Sequence, residues 1–385
     1  MPSDSHPSQI ALAHSPSPGP GIVAIPFGEE HRHARIALEA AGFERRDDGT
    51  YAFPVADPVR QSTAVAELVR LAPGDDATVT LSIRRYLGDI AKSVARRLRG
   101  SWSASVEIYA LPDEQEDLRE WLWDVGELAH AVETARIPYA AVLTDGQGTG
   151  PDLLMIERPG HDHEYLVGAF APTLDSASTD GMDAPRSMVV TGLPARIAQA
   201  ITDRLLPACR QALHARRISE VTRALARART AERSWDEAVR TRRAGDGTPL
   251  DDERLAGLEV WFRHRMWISF STFLNHGPAL LDDNQPTSRT AAASGAEAEA
   301  LDRLRAALDA GTQILHHTPA PTPADPPSAV LAQRTADAWP AITTWLVDGH
   351  VLIDHALKAT PHQAPRPAAV LPPPPPRGQH RLFPF

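Results

Sequence analysis

The longest periodic run in the chain lies between residues 193 and 243. Apolar positions recur there at 197, 201, 205, 208 and 212, then at 218, 221, 225, 228, 235 and 239. Steps of three, four and seven are the period of one helix face, so this run predicts one long helix. Pro207 marks a kink or a restart in it, because proline lacks the amide that an interior turn needs. Before this run the apolar pattern alternates between strand-like and helix-like stretches. After it the pattern is helical throughout.

The first half reads as short strands and helices in turn. Residues 21–28, GIVAIPFG, predict a buried strand, and 29–43 a helix with Ile36, Leu38 and Ala40 inward. Tyr51 to Phe53 form a short strand after the Asp47-Asp48-Gly49 turn. A helix follows at 58–71 with Val65, Leu68 and Val69 inward, and 77–83 alternate as a strand does. Gly88-Asp89 opens a helix with Asp89 at its N-cap, where a carboxylate accepts from free first-turn amides. Ile90, Val94 and Leu98 share its inner face. A strand at 104–110 precedes a helix at 113–135 that carries Leu118, Trp121, Leu122, Val125 and Leu128. Strands at 139–143, 152–157 and 165–170, joined by short turns, make an antiparallel meander. Residues 21–172 are therefore an α+β domain with a mostly antiparallel sheet. Residues 1–20 are Ser/Pro-rich and expected to be disordered, and 173–190 are expected to be a linker.

Residues 191–359 predict an all-α helical bundle built on the long helix. The 244–249 break favours an antiparallel partner helix at 250–275. The second half of that partner, with Met266, Ile268, Phe270, Phe273 and Leu274, is apolar nearly all round, as a bundle centre is. Further helices are expected at 295–316 and 328–358. Residues 360–385 form a Pro-rich flexible tail whose run 372–376 suits a polyproline II spacer.

Composition adds a compartment and a charge map. The chain has 35 prolines and one cysteine, Cys209, which cannot form an internal disulfide and so fits a reducing cytosol. No apolar run approaches the ~20 residues that span a bilayer. The N-terminus has neither a basic start nor a continuous apolar stretch, so the expectation is a cytoplasmic protein without a membrane partner. Lys92 and Lys358 are the only lysines. Residues 191–243 carry 12 arginines against 5 carboxylates in a chain of net charge −10, so the long helix is a basic rod between two acidic parts.

The basic surfaces are the leading candidates for chemistry. Arg216, Arg223 and Arg227 lie within ~40° of one another on a helical wheel, opposite the seam through Val221 and Leu225. Lys92, Arg96 and Arg99 form a second patch. Both are candidates for phosphate, nucleic acid or an acidic partner. The plain alternative is a solvated face, since Glu220 is three residues from Arg223 and four from Arg216. An alternative of another class is a metal-dependent enzyme. Its ligands would be His161 and His163 in the 161–164 loop, or His350 and Asp354, four apart on the last helix. Gly146, Gly148 and Gly150 precede a strand, not a helix, and read as a hairpin turn rather than a dinucleotide loop. No nucleophile elbow, phosphate-binding glycine loop or paired-cysteine motif occurs, which favours binding, without a cofactor, over catalysis. A purely structural scaffold is the third reading.

The tail ends in Gln379-His380-Arg381-Leu382-Phe383. This resembles the Gln-x-x-Leu-Phe peptide that bacterial replication and repair proteins insert into the sliding clamp. The resemblance implies a docking role for Gln379, Leu382 and Phe383 and an accessory part in DNA maintenance. Two phenylalanines and a leucine after a proline spacer also suit a general protein-docking anchor.

Overall fold

The computed structural model describes residues 8–16, 21–28, 31–75, 77–146, 151–171, 184–282, 295–317 and 327–359. The chain divides into two compact units, Met1–Arg216 and Arg217–Phe385. The first is α+β and the second helical, with one long helix crossing the division.

Unit 1 contains two sheets. The first holds β1 (Ser8–Ser15), β2 (Gly21–Phe27), β3 (Glu44–Arg45), β4 (Tyr51–Ala52) and β5 (Ala77–Arg85) in the order β3-β4-β2-β1-β5. All its pairs are antiparallel except β1 with β5. The second holds β6 (Trp102–Ile108), β8 (Tyr139–Asp145), β9 (Leu153–Glu157), β10 (Glu164–Phe170) and β11 (Met188–Thr191), all antiparallel, with β7 (Leu122–Trp123) also on β10. The helices of this unit are α1 (His31–Ala40), α2 (Pro58–Leu71), α3 (Leu87–Ala95), α4 (Pro112–Trp121), α5 (Glu127–Thr134) and α6 (Pro194–Ala200).

Strand alternation explains how these pieces stack. In β2, Val23 and Ile25 face a core shared with Leu87, Ile90 and Val94 of α3, whereas Ala24 faces Leu38 of α1 and Leu68 of α2. In β9, Leu153 and Met155 face the α3 core, whereas Leu154 and Ile156 face Leu118 of α4 and Leu128 of α5. The central strands β2, β8, β9 and β10 are buried on both faces and read as nearly continuous apolar runs, whereas β5, β6 and β11 alternate with exposed positions. α3 and α6 fill the layer between the sheets, and α1 with α2 and α4 with α5 cover the outsides.

Several expectations change here. Part of the stretch expected to be disordered, 8–15, is β1, an interior strand between β2 and β5. The 173–190 linker holds most of β11. The helix expected at 113–135 is broken into α4 and α5. Asp124 ends it by drawing the amides of Gly126 (3.0 Å), Ala129 (2.9 Å) and Ser187 (2.5 Å) onto its carboxylate. Ile36, Ala40, Val69, Trp121 and Val125 are exposed, whereas Leu38 and Leu68 are buried as expected and are joined on the inner faces of α1 and α2 by Ala34, Ala37 and Ala64. Asp89 sits inside the first turn of α3, whose N-cap is Tyr86.

The long helix runs from α6 through a wide π turn, Ile201–Leu205, into α7 (Leu206–Thr241). The π turn directly precedes Pro207, whose ring would crowd the carbonyl four residues back in a regular turn. Unit 2 packs the rest of α7 with α8 (Asp252–Asp282), α9 (Gly295–His317), α10 (Pro327–Asp337) and α11 (Trp339–Ala359) around Phe270, Phe273, Leu304, Ile342 and Trp345. The helix expected at 328–358 is two, divided at Ala338 just ahead of Pro340. Ile268 is exposed rather than central. Gly311 lets α9 approach α8, since a Cβ there would lie 2.6 Å from Leu274 Cδ2 and 2.8 Å from Phe270 Cε1. The 379–385 docking segment lies outside the described residues.

Candidate functional site

Of the sequence-nominated residues, Lys92 and Arg96 are brought together in a formed site. They are four apart on α3 and both exposed. With Asp89, Ser93, Trp102 and Ser103 they line a cavity of about 360 Å³. Asp89 is buried and accepts from Ser15 Oγ at 2.6 Å, which ties α3 to the end of β1. Trp102 opens β6 and donates its indole N–H to Arg99 O at 3.0 Å. Arg96 donates to Lys92 O (3.3 Å) and Ser93 Oγ (3.3 Å), and Arg97 to Ser93 O (2.7 Å). These guanidinium groups lie over carbonyls of the last turn of α3, one of which, Lys92 O, also accepts the Arg96 amide at 3.2 Å, and a cation there favours the helix dipole. Among the described residues, neither Lys92 nor Arg96 has a carboxylate within ion-pair distance. Arg99 is exposed but does not line the cavity.

The α7 stripe is not one surface. Arg216 is 5% exposed, and its Nε and Nη1 have no hydrogen-bond partner among the described residues. Its burial has a geometric cause. Arg216 lies seven residues, about two turns, beyond the buried Cys209 and so falls on the same helix face. The wheel drawn from Val221 and Leu225 carried a single seam through the whole helix and placed Arg216 outside. Arg223 is exposed and pairs with Glu220 at 3.2 Å. Arg227 is exposed. Further along, Arg229 donates to Leu346 O at 2.9 Å and is part of the bundle's packing.

The 161–164 loop is held by arginines. Arg84 Nη2 donates to His161 O (2.9 Å) and to Asp162 Oδ1 (3.1 Å), and Arg158 pairs with Glu164 (2.5 Å) and with Glu127. His163 occupies the left-handed region at φ 60°, which fits a turn. Arg84 also pairs with Glu157 at 2.9 Å, and Glu157 accepts from Tyr139 Oη at 2.8 Å. Burial, then the Glu157 charge, raises the Tyr139 hydroxyl well above the ordinary tyrosine range and pushes Tyr165 up to about 12. His350 faces solvent with Nδ1 2.9 Å from Val347 O, and Asp354 is exposed one turn on. No group of three or more His, Cys, Asp or Glu side chains that could hold a metal occurs among the described residues.

The pattern along the chain reached Lys92 and Arg96 but missed their neighbours. Trp102 and Ser103 come from another element, and only the pairing of β6 with β8 beside α3 brings them close. The Arg84–Glu157–Tyr139 network likewise joins three strands, and no local spacing announces it. Comparison with protein-family models, with curated proteins and with solved structures returned no match.

Proposed function

We propose that the protein is a non-catalytic binding protein that receives a phosphate-bearing strand of nucleic acid on α3 of unit 1. The observation that carries this is the cavity itself, where Lys92 and Arg96, without carboxylate partners among the described residues, stand beside the indole of Trp102. Cations for phosphate and an aromatic ring for a base are the two parts of single-strand recognition. The hydroxyls of Ser93 and Ser103 add hydrogen-bonding capacity. The chain's net charge of −10 confines attraction to this local patch and disfavours indiscriminate coating of duplex DNA. The tail residues Gln379, Leu382 and Phe383 would dock a protein partner, and the exposed Arg223 and Arg227 would offer a separate basic patch on unit 2.

No helix among the described residues is long and apolar enough to cross a membrane. The test is fluorescence anisotropy of a labelled single-stranded oligonucleotide over a salt series. Loss of two phosphate contacts in a Lys92→Ala/Arg96→Ala double variant should flatten the log–log salt slope by about 1.4. Binding that is absent, or indifferent to salt and to both substitutions, overturns the reading. Deleting residues 379–385 should remove partners from a pulldown, and an unchanged set discards the docking role of the tail.

A further inference from the structure

A second cavity, in unit 2, has different chemistry. Trp235 of α7, Phe262 of α8 and Trp339 at the start of α11 meet there with Glu259, Arg263 and Thr335 around a volume of about 380 Å³. Trp235 and Phe262 stack with centroids 5.3 Å apart and planes 10° apart. Trp339 stands across Phe262 at 5.8 Å and 65°. Trp235 and Phe262 cover each other's facing surfaces and Phe262 is buried, so the aromatic surface left open is that of Trp235 and of Trp339, whose ring is set steeply to Phe262. Glu259 supplies a carboxylate, paired with Arg263 at 2.5 Å on the next turn of α8.

We propose that this cavity is a binding site for a small alkylated ammonium ion. Aromatic faces attract a cation through the ring quadrupole, and several rings around one charge are the arrangement that suits quaternary ammonium groups. The polar inventory of the wall points the same way. The Thr335 hydroxyl donates to Leu331 O (2.8 Å) and lies 3.3 Å from Arg263 O, so it is already engaged. The ligand that fits asks for few directional hydrogen bonds, a countercharge and apolar contact. A tetraalkylammonium has no N–H to satisfy and gives up little hydration on entry, whereas a primary ammonium is strongly hydrated. Glu259 is the countercharge, and since Arg263 already holds it, the ligand cation has to take the place of that guanidinium beside the carboxylate. Both side chains are partly exposed, and such a pair is weakly held, so exchanging one cation for another at the carboxylate costs little. The volume lies within the range of small-molecule sites.

The test is calorimetric titration of the full chain with choline and, in parallel, with its uncharged isostere 3,3-dimethylbutan-1-ol. Choline should saturate in the millimolar range or below and the alcohol should bind about tenfold more weakly or not at all, since only charge separates them. Trp339→Leu, which keeps apolar bulk on a partly exposed ring position, should weaken choline about tenfold, and Trp339→Phe should restore part of the loss. Glu259→Gln should weaken choline and leave the alcohol unchanged. Circular dichroism melting of each variant checks that it is folded. Equal binding of the two ligands would reduce the site to an apolar hollow. No saturation with choline at tens of millimolar, or affinity unmoved by Trp339→Leu, overturns the proposal.

Discussion

Arginine does opposite work in α3 and in the β-sheet corner around Arg84. On α3, Arg96 bonds its own helix and faces a cavity without a carboxylate partner among the described residues. Arg84, at the end of β5, is 17% exposed in its side chain and is bonded to Glu157, Asp162 and the His161 carbonyl. The first keeps its charge available to a ligand, and the second uses its charge to fix strands and a loop. The long helix contains both kinds and a third, the buried Arg216, whose Nε and Nη1 have no hydrogen-bond partner among the described residues. Arginine abundance along a sequence is therefore no measure of binding surface. What separates the three is whether the fold puts an acceptor in reach.

The sharpest test of that division removes the structural arginine. Arg84→Ala leaves the mostly buried Glu157 without its cation and should cost about 3 kcal/mol in a denaturant titration, with oligonucleotide binding by the folded protein unchanged. The same corner has an alkaline signature. Tyr165 is held neutral in the fold up to about 12, by burial and then by Glu157, against about 10 in the unfolded chain. Its raised value favours the fold fully below the unfolded value, and that advantage is lost as pH rises from about 10 towards 12. Tyr86, Tyr109 and Tyr139 are shifted in the same direction, so melting temperature should fall steeply above about pH 10.

A smaller change of opposite sign is expected at Arg216. Replacing a buried guanidinium with two unsatisfied nitrogens by an apolar chain of similar length removes a desolvation cost, so Arg216→Met should stabilise by about 1 kcal/mol in the same titration. A destabilisation of that size would mean that its charge is compensated. The smallest effects belong to the exposed cations. Arg223→Ala should cost about 0.3 kcal/mol, as a surface ion pair does, and Lys92→Ala less than about 0.5 kcal/mol. A large loss at Lys92 would move α3 into the structural class.

Regular elements with long periods were legible from the residues. The helix at 58–71, the 139–170 meander and the α8 core of Phe270, Phe273 and Leu274 follow from period and length. What escaped depended on distant partners. β1 hides in a Ser/Pro-rich stretch because its pairing residues lie in β2 and, across some seventy positions, in β5. The break between α4 and α5 depends on Ser187, far along the chain, meeting Asp124. Arg216 was misplaced because one helix serves two cores, and a wheel carries one seam at a time. At the candidate sites, spacing gave the two cations on α3 but not the indole beside them, and it gave none of the three-ring cavity in unit 2.

The position of β1 bears on how the protein should be handled. A strand so close to the start of the chain invites trimming, yet its backbone is hydrogen-bonded on both sides. Removing residues 1–20 would uncover the flanks of β2 and β5 together, two rows of unpaired amides and carbonyls open to other chains. A shortened protein would then precipitate for want of eight residues, however intact its helices remained.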